Sequence, residues 1–171
     1  SVESAMFSPV PLDCYKNKYD TSPNVILQEF SSFGAGDYRT PCLSARFHDG
    51  AGTVDLRYES HRIFPGKPKL QGLPAAYFED DEVKSLEIVL KDRFSELRAV
   101  LLYTVCAKYD AVIRSAKIVN GEKQPVTLLS ALSFCLDFPE SDYDFIRFQG
   151  KVTMERVPDR APIKSGKTVC E

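Results

Sequence analysis

The chain has 171 residues, with 22 Lys and Arg, 24 Asp and Glu, two His and a formal net charge of −2; 43% of its residues are hydrophobic and 27% charged. This length fits one domain and falls short of the roughly 250 residues of a (β/α)8 barrel, and the apolar content is too high for an intrinsically disordered chain. A near-zero charge without basic runs argues against nucleic acid or an anionic membrane as partner.

Residues 1–24 hold three prolines and show no hydrophobic period, so they read as an irregular lead-in. Val25–Phe30 is a candidate first strand. Ser31–Pro41 is a loop punctuated by Gly34 and Gly36. Cys42–His48 and Thr53–Glu59 alternate in polarity on either side of Asp49-Gly50, a hairpin signal. Three prolines and two glycines in Phe64–Pro74 predict a turn-rich stretch. Strands follow one another after that. Leu86, Ile88 and Leu90 alternate with Glu87, Val89 and Lys91. Leu97–Cys106 is more fully apolar and predicts a strand covered on both faces. Ala111–Val119 puts Val112, Arg114, Ala116 and Ile118 on one face. A turn at Asn120-Gly121 leads to a β-rich run over Pro125–Asp137. Tyr143–Phe148 and Val152–Val157 close the set on either side of Gly150, and Pro158–Glu171 reads as irregular. A helix over Asp92–Val105 is the alternative at one place only, and its β-branched residues weigh against it. Nine or ten strands without a convincing helix predict an all-β, antiparallel β-sandwich over residues 25–160, with an irregular tail over 161–171.

Catalytic chemistry is scarce. His48 and His61 occur in no zinc-binding pattern, and no serine-hydrolase elbow is present. Neither a catalytic group nor a metal or cofactor site is expected within the chain. Gly34-Ala35-Gly36 begins like a dinucleotide fingerprint, but position 39 is Arg and no helix follows to receive a phosphate. The acidic runs Glu79–Glu82 and Glu140–Asp144 could in principle do acid/base work or hold calcium; like charges in series favour solvated loops. Cys14, Cys42, Cys106, Cys135 and Cys170 are scattered and odd in number, which fits a reducing, cytoplasmic compartment better than a disulfide framework. Cys106 and Cys135 lie in apolar segments and are expected to be buried thiols. The first thirty residues lack a basic start followed by an apolar stretch. Ser at position 1 suggests a processed or excised chain.

The strongest local candidate is the loop at Gly34–Arg39. Its glycines permit a sharp turn that would present Asp37, Tyr38 and Arg39 together. The Asp37 carboxylate could accept two sugar hydroxyls, and Arg39 could orient it. A surface turn with a weak Asp–Arg pair is the plainer alternative.

Several phrases in order resemble glycoside hydrolase family 36. They are Gly36-Asp37-Tyr38-Arg39-Thr40-Pro41, Leu56–Ile63, Gly66–Ala75, Leu86–Asp92, Tyr109–Ser115, Leu136–Asp144 and Gly150–Arg156. The resemblance implies the N-terminal β-sandwich, of supersandwich type, of a retaining α-galactosidase acting on melibiose- and raffinose-like sugars. It also implies a (β/α)8 barrel beyond this chain that carries a catalytic pair of aspartates. The fragment alone would then be inactive, and the parent a homo-oligomer, typically a tetramer. By the same resemblance Asp37 reaches the galactose pocket and Arg39 supports its loop. Lys151-Val152-Thr153 stand where the family often has Trp after the glycine, which removes an aromatic sugar contact there. A free-standing carbohydrate-binding or protein-interaction sandwich is the competing reading, and zero Trp counts against the sugar-binding form.

Overall fold

A computed structural model describes residues 29–34, 40–70, 75–133 and 142–163. Its contacts divide the chain into two units, Ser1–Asp137 and Phe138–Glu171. The first unit contains β1 (Leu43–Arg46), β2 (Leu56–Pro65), β3 (Lys84–Asp92), β4 (Leu97–Cys106), β5 (Ala111–Asn120) and β6 (Thr127–Ala131). The second contains β7 (Asp144–Lys151) and β8 (Met154–Pro162). One 3-10 turn at Ala107–Tyr109 is the only helical element among the described residues, none of which form a helix able to cross a membrane. The segment Asp92–Val105 is strand and turn, as its β-branched residues favour.

Strands β2, β3, β4 and β5 form an antiparallel meander in that order, and β1 pairs with β6. Two-residue periodicity puts Ile88 and Leu90 of β3 on the same face as Leu97, Ala99 and Leu101 of β4, in rows fixed by the pairs Ile88↔Leu101 and Leu90↔Ala99. Opposite them, Phe30, Cys42, Leu43, Ala45 and Val54 join the same buried cluster. The two sheets thus share one core as the layers of a sandwich, where each fully buried Leu contributes about 1.5–3 kcal/mol.

Strand β4 is not covered on both faces along its length. Leu97, Ala99 and Leu101 are buried on one face, whereas Thr104 and Cys106 are buried on the other. Between those stretches the covered side changes, and Val105 is left 47% exposed. On the second face Ser85 Oγ donates to the Gly66 carbonyl at 2.6 Å and meets Thr104 Oγ1 at 2.8 Å, so the buried hydroxyls are satisfied. Cys42 and Cys106 are buried, the latter as its apolar setting predicts.

The Asp49-Gly50 turn forms, with Phe47 N–H donating to the Ala51 carbonyl at 2.8 Å and Gly50 at φ +88°. The strands flanking it do not pair with each other, because β1 bonds β6 and β2 bonds β3. A turn sequence specifies local reversal, and the partner of each arm is chosen by burial. The final hairpin also differs from expectation. Its turn lies at Val152-Thr153, with Thr153 at φ 75°, and Gly150 sits inside β7 at a register shift. Strand β8 runs on through Pro158 to Pro162. Both prolines fall on the alternate residues that need not donate to β7, while Ile163 N–H donates to the Tyr143 carbonyl at 2.9 Å. Of the expected first strand, Glu29 and Phe30 are bends, and residues 25–28 and Cys135 lie outside the described residues.

Candidate functional site

Asp37 and Arg39, the expected sugar-binding residues, lie outside the described residues. Their two flanking limbs are described, and each is tied to the sandwich. On the incoming limb Phe33 N–H donates to the Leu43 carbonyl at 2.9 Å, and Leu43 N–H donates back to Ser31 at 3.1 Å. Ser32 Oγ donates to the Val54 carbonyl at 2.7 Å, and Val54 N–H donates to the Phe33 carbonyl at 2.9 Å. On the outgoing limb Cys42 N–H donates to Ser31 Oγ at 3.1 Å, so the two limbs are bonded to each other.

Gly34 shows why this stretch is glycine-dependent. Its φ is +94°, and a Cβ there would lie 2.8 Å from the Thr53 Cα. An L-residue would meet both torsional strain and backbone overlap. Ser31 and Ser32 are buried, and their hydroxyls satisfy backbone groups that would otherwise be stranded. The limbs of residues 31–34 and 40–42 form a closed base, and 35–39 are the residues between them.

A charged group lies on the inner face of the sheet close to this base. Tyr103 and Arg114 are a direct cross-strand pair on β4 and β5. Arg114, whose side chain is 9% exposed, reaches Glu29 Oε1 at 3.1 Å. Its Nη2 donates to the Glu29 carbonyl at 2.6 Å. Tyr103 Oη donates to Glu29 Oε1 at 2.5 Å, and the guanidinium lies 5.1 Å from the Tyr103 ring centroid. Burial, and then the adjacent Glu29 carboxylate, push the Tyr103 phenol well above its ordinary value, so it stays a proton donor. Sequence reading places Arg114 on the apolar face with Ala116 and Ile118 but assigns it no role. A cation at an inward position on that face was the available signal.

The acidic runs have ordinary structural explanations where they are described. Glu82 binds Lys108 at 3.1 Å and accepts the Glu79 N–H at 3.2 Å, contacts that hold its carboxyl below the usual range. Asp144 pairs with Arg160, and Glu140 lies outside the described residues. No group of three or more His, Cys, Asp or Glu able to hold a metal occurs among the described residues. A cleft of about 260 Å³ beside the Asp49-Gly50 turn is lined by Phe47, His48, Asp92, Phe94 and Glu122, among others. Several of its polar groups are occupied by turns: Asp92 Oδ1 accepts the Asp55 N–H at 2.7 Å and Glu122 Oε1 accepts the Glu96 N–H at 2.7 Å.

The sandwich and its tethered loop base define a class, an all-β antiparallel domain. An α-galactosidase variant from Geobacillus stearothermophilus, AgaA in complex with raffinose, superposes with a TM-score of 0.83 at 40% identity, over 94% of this chain and 22% of that one. The Glycosyl hydrolase family 36 N-terminal domain matches residues 2–171, and the chain belongs to that family. AgaA itself is 40% identical over 151 residues, covering 88% of this chain and 21% of the relative. The bifunctional α-galactosidase/sucrose kinase AgaSK of Mediterraneibacter gnavus is 39% identical over 145 residues, covering 85% of this chain and 16% of the relative. The chain therefore spans about a fifth or less of the length of these relatives.

Proposed function

We propose that this domain serves a retaining α-galactosidase that hydrolyses terminal α-galactosides of the melibiose and raffinose type. The carrying observation is the family match over residues 2–171, supported by the likeness to a relative solved with raffinose. The bond-breaking aspartates would reside in a (β/α)8 barrel of the same protein, spaced for a covalent glycosyl intermediate at about 5–5.5 Å. The domain contributes Asp37 to the galactose pocket, with Arg39 supporting it. Galactose carries its axial 4-hydroxyl beside the 6-hydroxyl, and one carboxylate can accept from both. The bonded limbs at Ser31–Phe33 and Cys42 favour this reading, because a hydroxyl-reading carboxylate needs a fixed base. Assembly into a homo-oligomer, a tetramer by family likeness, is the domain's second role. The buried free thiol at Cys106 fits a cytoplasmic setting.

The test is steady-state kinetics on the full-length protein with an aryl α-galactoside. Asp37→Ala is expected to lower kcat/KM by more than tenfold, since a sugar hydroxyl loses its charged acceptor. Unchanged kinetics would remove Asp37 from the pocket. A free-standing sugar-binding module would instead show tight galactose binding by the isolated chain in calorimetry.

A further inference from the structure

We propose that Glu29, Tyr103 and Arg114 form a clamp that positions the base of the 35–39 loop for galactoside recognition, with Arg114 as a positioning residue. The proposal rests on the reading of Asp37 given above. It begins from an oddity of the core face. The rows of β4 and β5 that bury Leu101 beside Ala116 and Ala99 beside Ile118 continue to Tyr103 beside Arg114. A guanidinium at that depth costs desolvation, and an apolar pair of similar volume would pack there at least as well. What a buried ion pair can add is registry: it accepts one partner in one geometry.

Among the described residues the partner on this face is Glu29, held at two points. Arg114 grips both the backbone carbonyl and the carboxylate of Glu29, and Tyr103 Oη fixes the same carboxylate from the side. A bond to a side chain alone would leave the Glu29 backbone free to shift by rotamer change. The bond to the carbonyl removes that freedom. Glu29 lies five residues before Gly34, and the intervening residues transmit its position. Phe30 is 2% exposed in the core, and Ser31, Ser32 and Phe33 are bonded to Cys42, Leu43 and Val54. The strand carrying Tyr103 is itself fixed, since β4 pairs with β3 and β5, and the strand carrying Arg114 is bonded to β4 along its length. The hydrogen bonds of Glu29 and of Ser31–Phe33, with buried Phe30 between them, therefore tie this segment to the sheet. A carboxylate displaced by about 1 Å loses much of its value to a bound sugar, which is how a residue remote from the ligand can alter recognition.

The experiment uses the full-length protein and two readouts. Hydrogen exchange is followed at the amides of residues 30–34, Thr40, Cys42 and Leu43, with β3 and β4 as internal reference. Kinetics compare an aryl α-galactoside with its 6-deoxy counterpart. Arg114→Gln is expected to speed exchange in the two limbs at least tenfold while leaving the reference strands within twofold. It should also lower kcat/KM for the galactoside by about tenfold and reduce the preference over the 6-deoxy substrate. Tyr103→Phe, which deletes one hydroxyl and no volume of the ring, should shift both readouts the same way by a few-fold and covers the case in which Arg114→Gln does not fold. Arg114→Lys should restore part of the preference, because an ammonium keeps the charge but not the two-point grip. The double variant Asp37→Ala with Arg114→Gln should fall little below Asp37→Ala alone. Unchanged limb exchange in both single variants overturns the clamp. Faster exchange with an intact preference overturns its part in recognition. If Asp37→Ala alone leaves the preference intact, the sugar contact fails while the exchange result still reports on the clamp.

Discussion

Asp92 shows how a single buried carboxyl group is used to build a corner. It is 1% exposed at the end of β3, and its two oxygens serve different backbone groups. Oδ1 accepts the Asp55 N–H at 2.7 Å, and Oδ2 accepts the Phe94 N–H at 3.3 Å. The Arg93 N–H completes the corner on the Asp55 carbonyl at 2.9 Å. Asp92→Ala strands the Asp55 and Phe94 donors and should destabilise the chain by about 1–3 kcal/mol in denaturant unfolding. Asp92→Asn keeps one acceptor and should cost less. Exposed charges behave differently. Arg98 binds Glu59 at 2.8 Å and lowers that carboxyl chiefly through the hydrogen bond, whereas Glu96 is lowered first by its hydrogen bond from Lys91 at 2.7 Å and then by that from Arg98 at 3.1 Å. A lowered folded-state value means stability that is present above the ordinary 4.5 and lost as pH falls below it. The Tm difference between the wild type and Arg98→Gln should therefore be small but measurable at pH 7 and shrink as pH drops below about 4.5, and it should also fade in high salt.

At the scale of elements, β4 is the strand on which the first unit depends. It pairs on both sides, and its inner residues Leu97, Ala99 and Leu101 have no exposure. Leu101→Ala opens a cavity between β3, β5 and the opposite layer and should cost about 2–5 kcal/mol. Ile63→Ala on β2, at 69% exposure, should stay within about 0.5 kcal/mol in the same unfolding assay. Period-two alternation in the sequence located β3 and β5 closely, and the apolar run Leu97–Cys106 located β4, although it pointed to cover on both faces where the structure alternates. Sequence reading misplaced the β7–β8 turn because Gly150 is the more conspicuous turn former, yet a bulge uses it within the strand. The true turn takes Thr153 through a positive φ that a β-branched residue seldom adopts, so no composition rule points there.

For the whole molecule, the second unit carries an apolar surface out of proportion to its size. Ile146 and Phe148 share one face of β7 at 59% and 71% exposure, with Met154 at 56% and Val152 at 84% on the adjoining strand end and turn. Such surface on so small a unit marks an interaction site or an association hazard. In sedimentation velocity the isolated 171-residue chain should self-associate with concentration, and Ile146→Lys with Phe148→Lys together should reduce it. A monomeric wild type at high concentration would contradict this. The same chain should not hydrolyse an aryl α-galactoside, and turnover by it would place the catalytic pair inside these residues.

The sequence by itself determined the all-β class, the positions of the central strands and the family resemblance, because alternation and local phrases are written in consecutive residues. It also identified the Gly34–Arg39 loop as the point of interest from its glycines and charges. Only the tertiary structure decided that β1 leaves its apparent hairpin partner for β6, since the competing pairings differ in what they bury and not in their turn. It likewise decided that Arg114, a lone cation in an apolar stripe, meets Glu29 across 85 residues of chain. Such a contact depends on two distant segments being brought together by a shared core, and neither segment encodes the other.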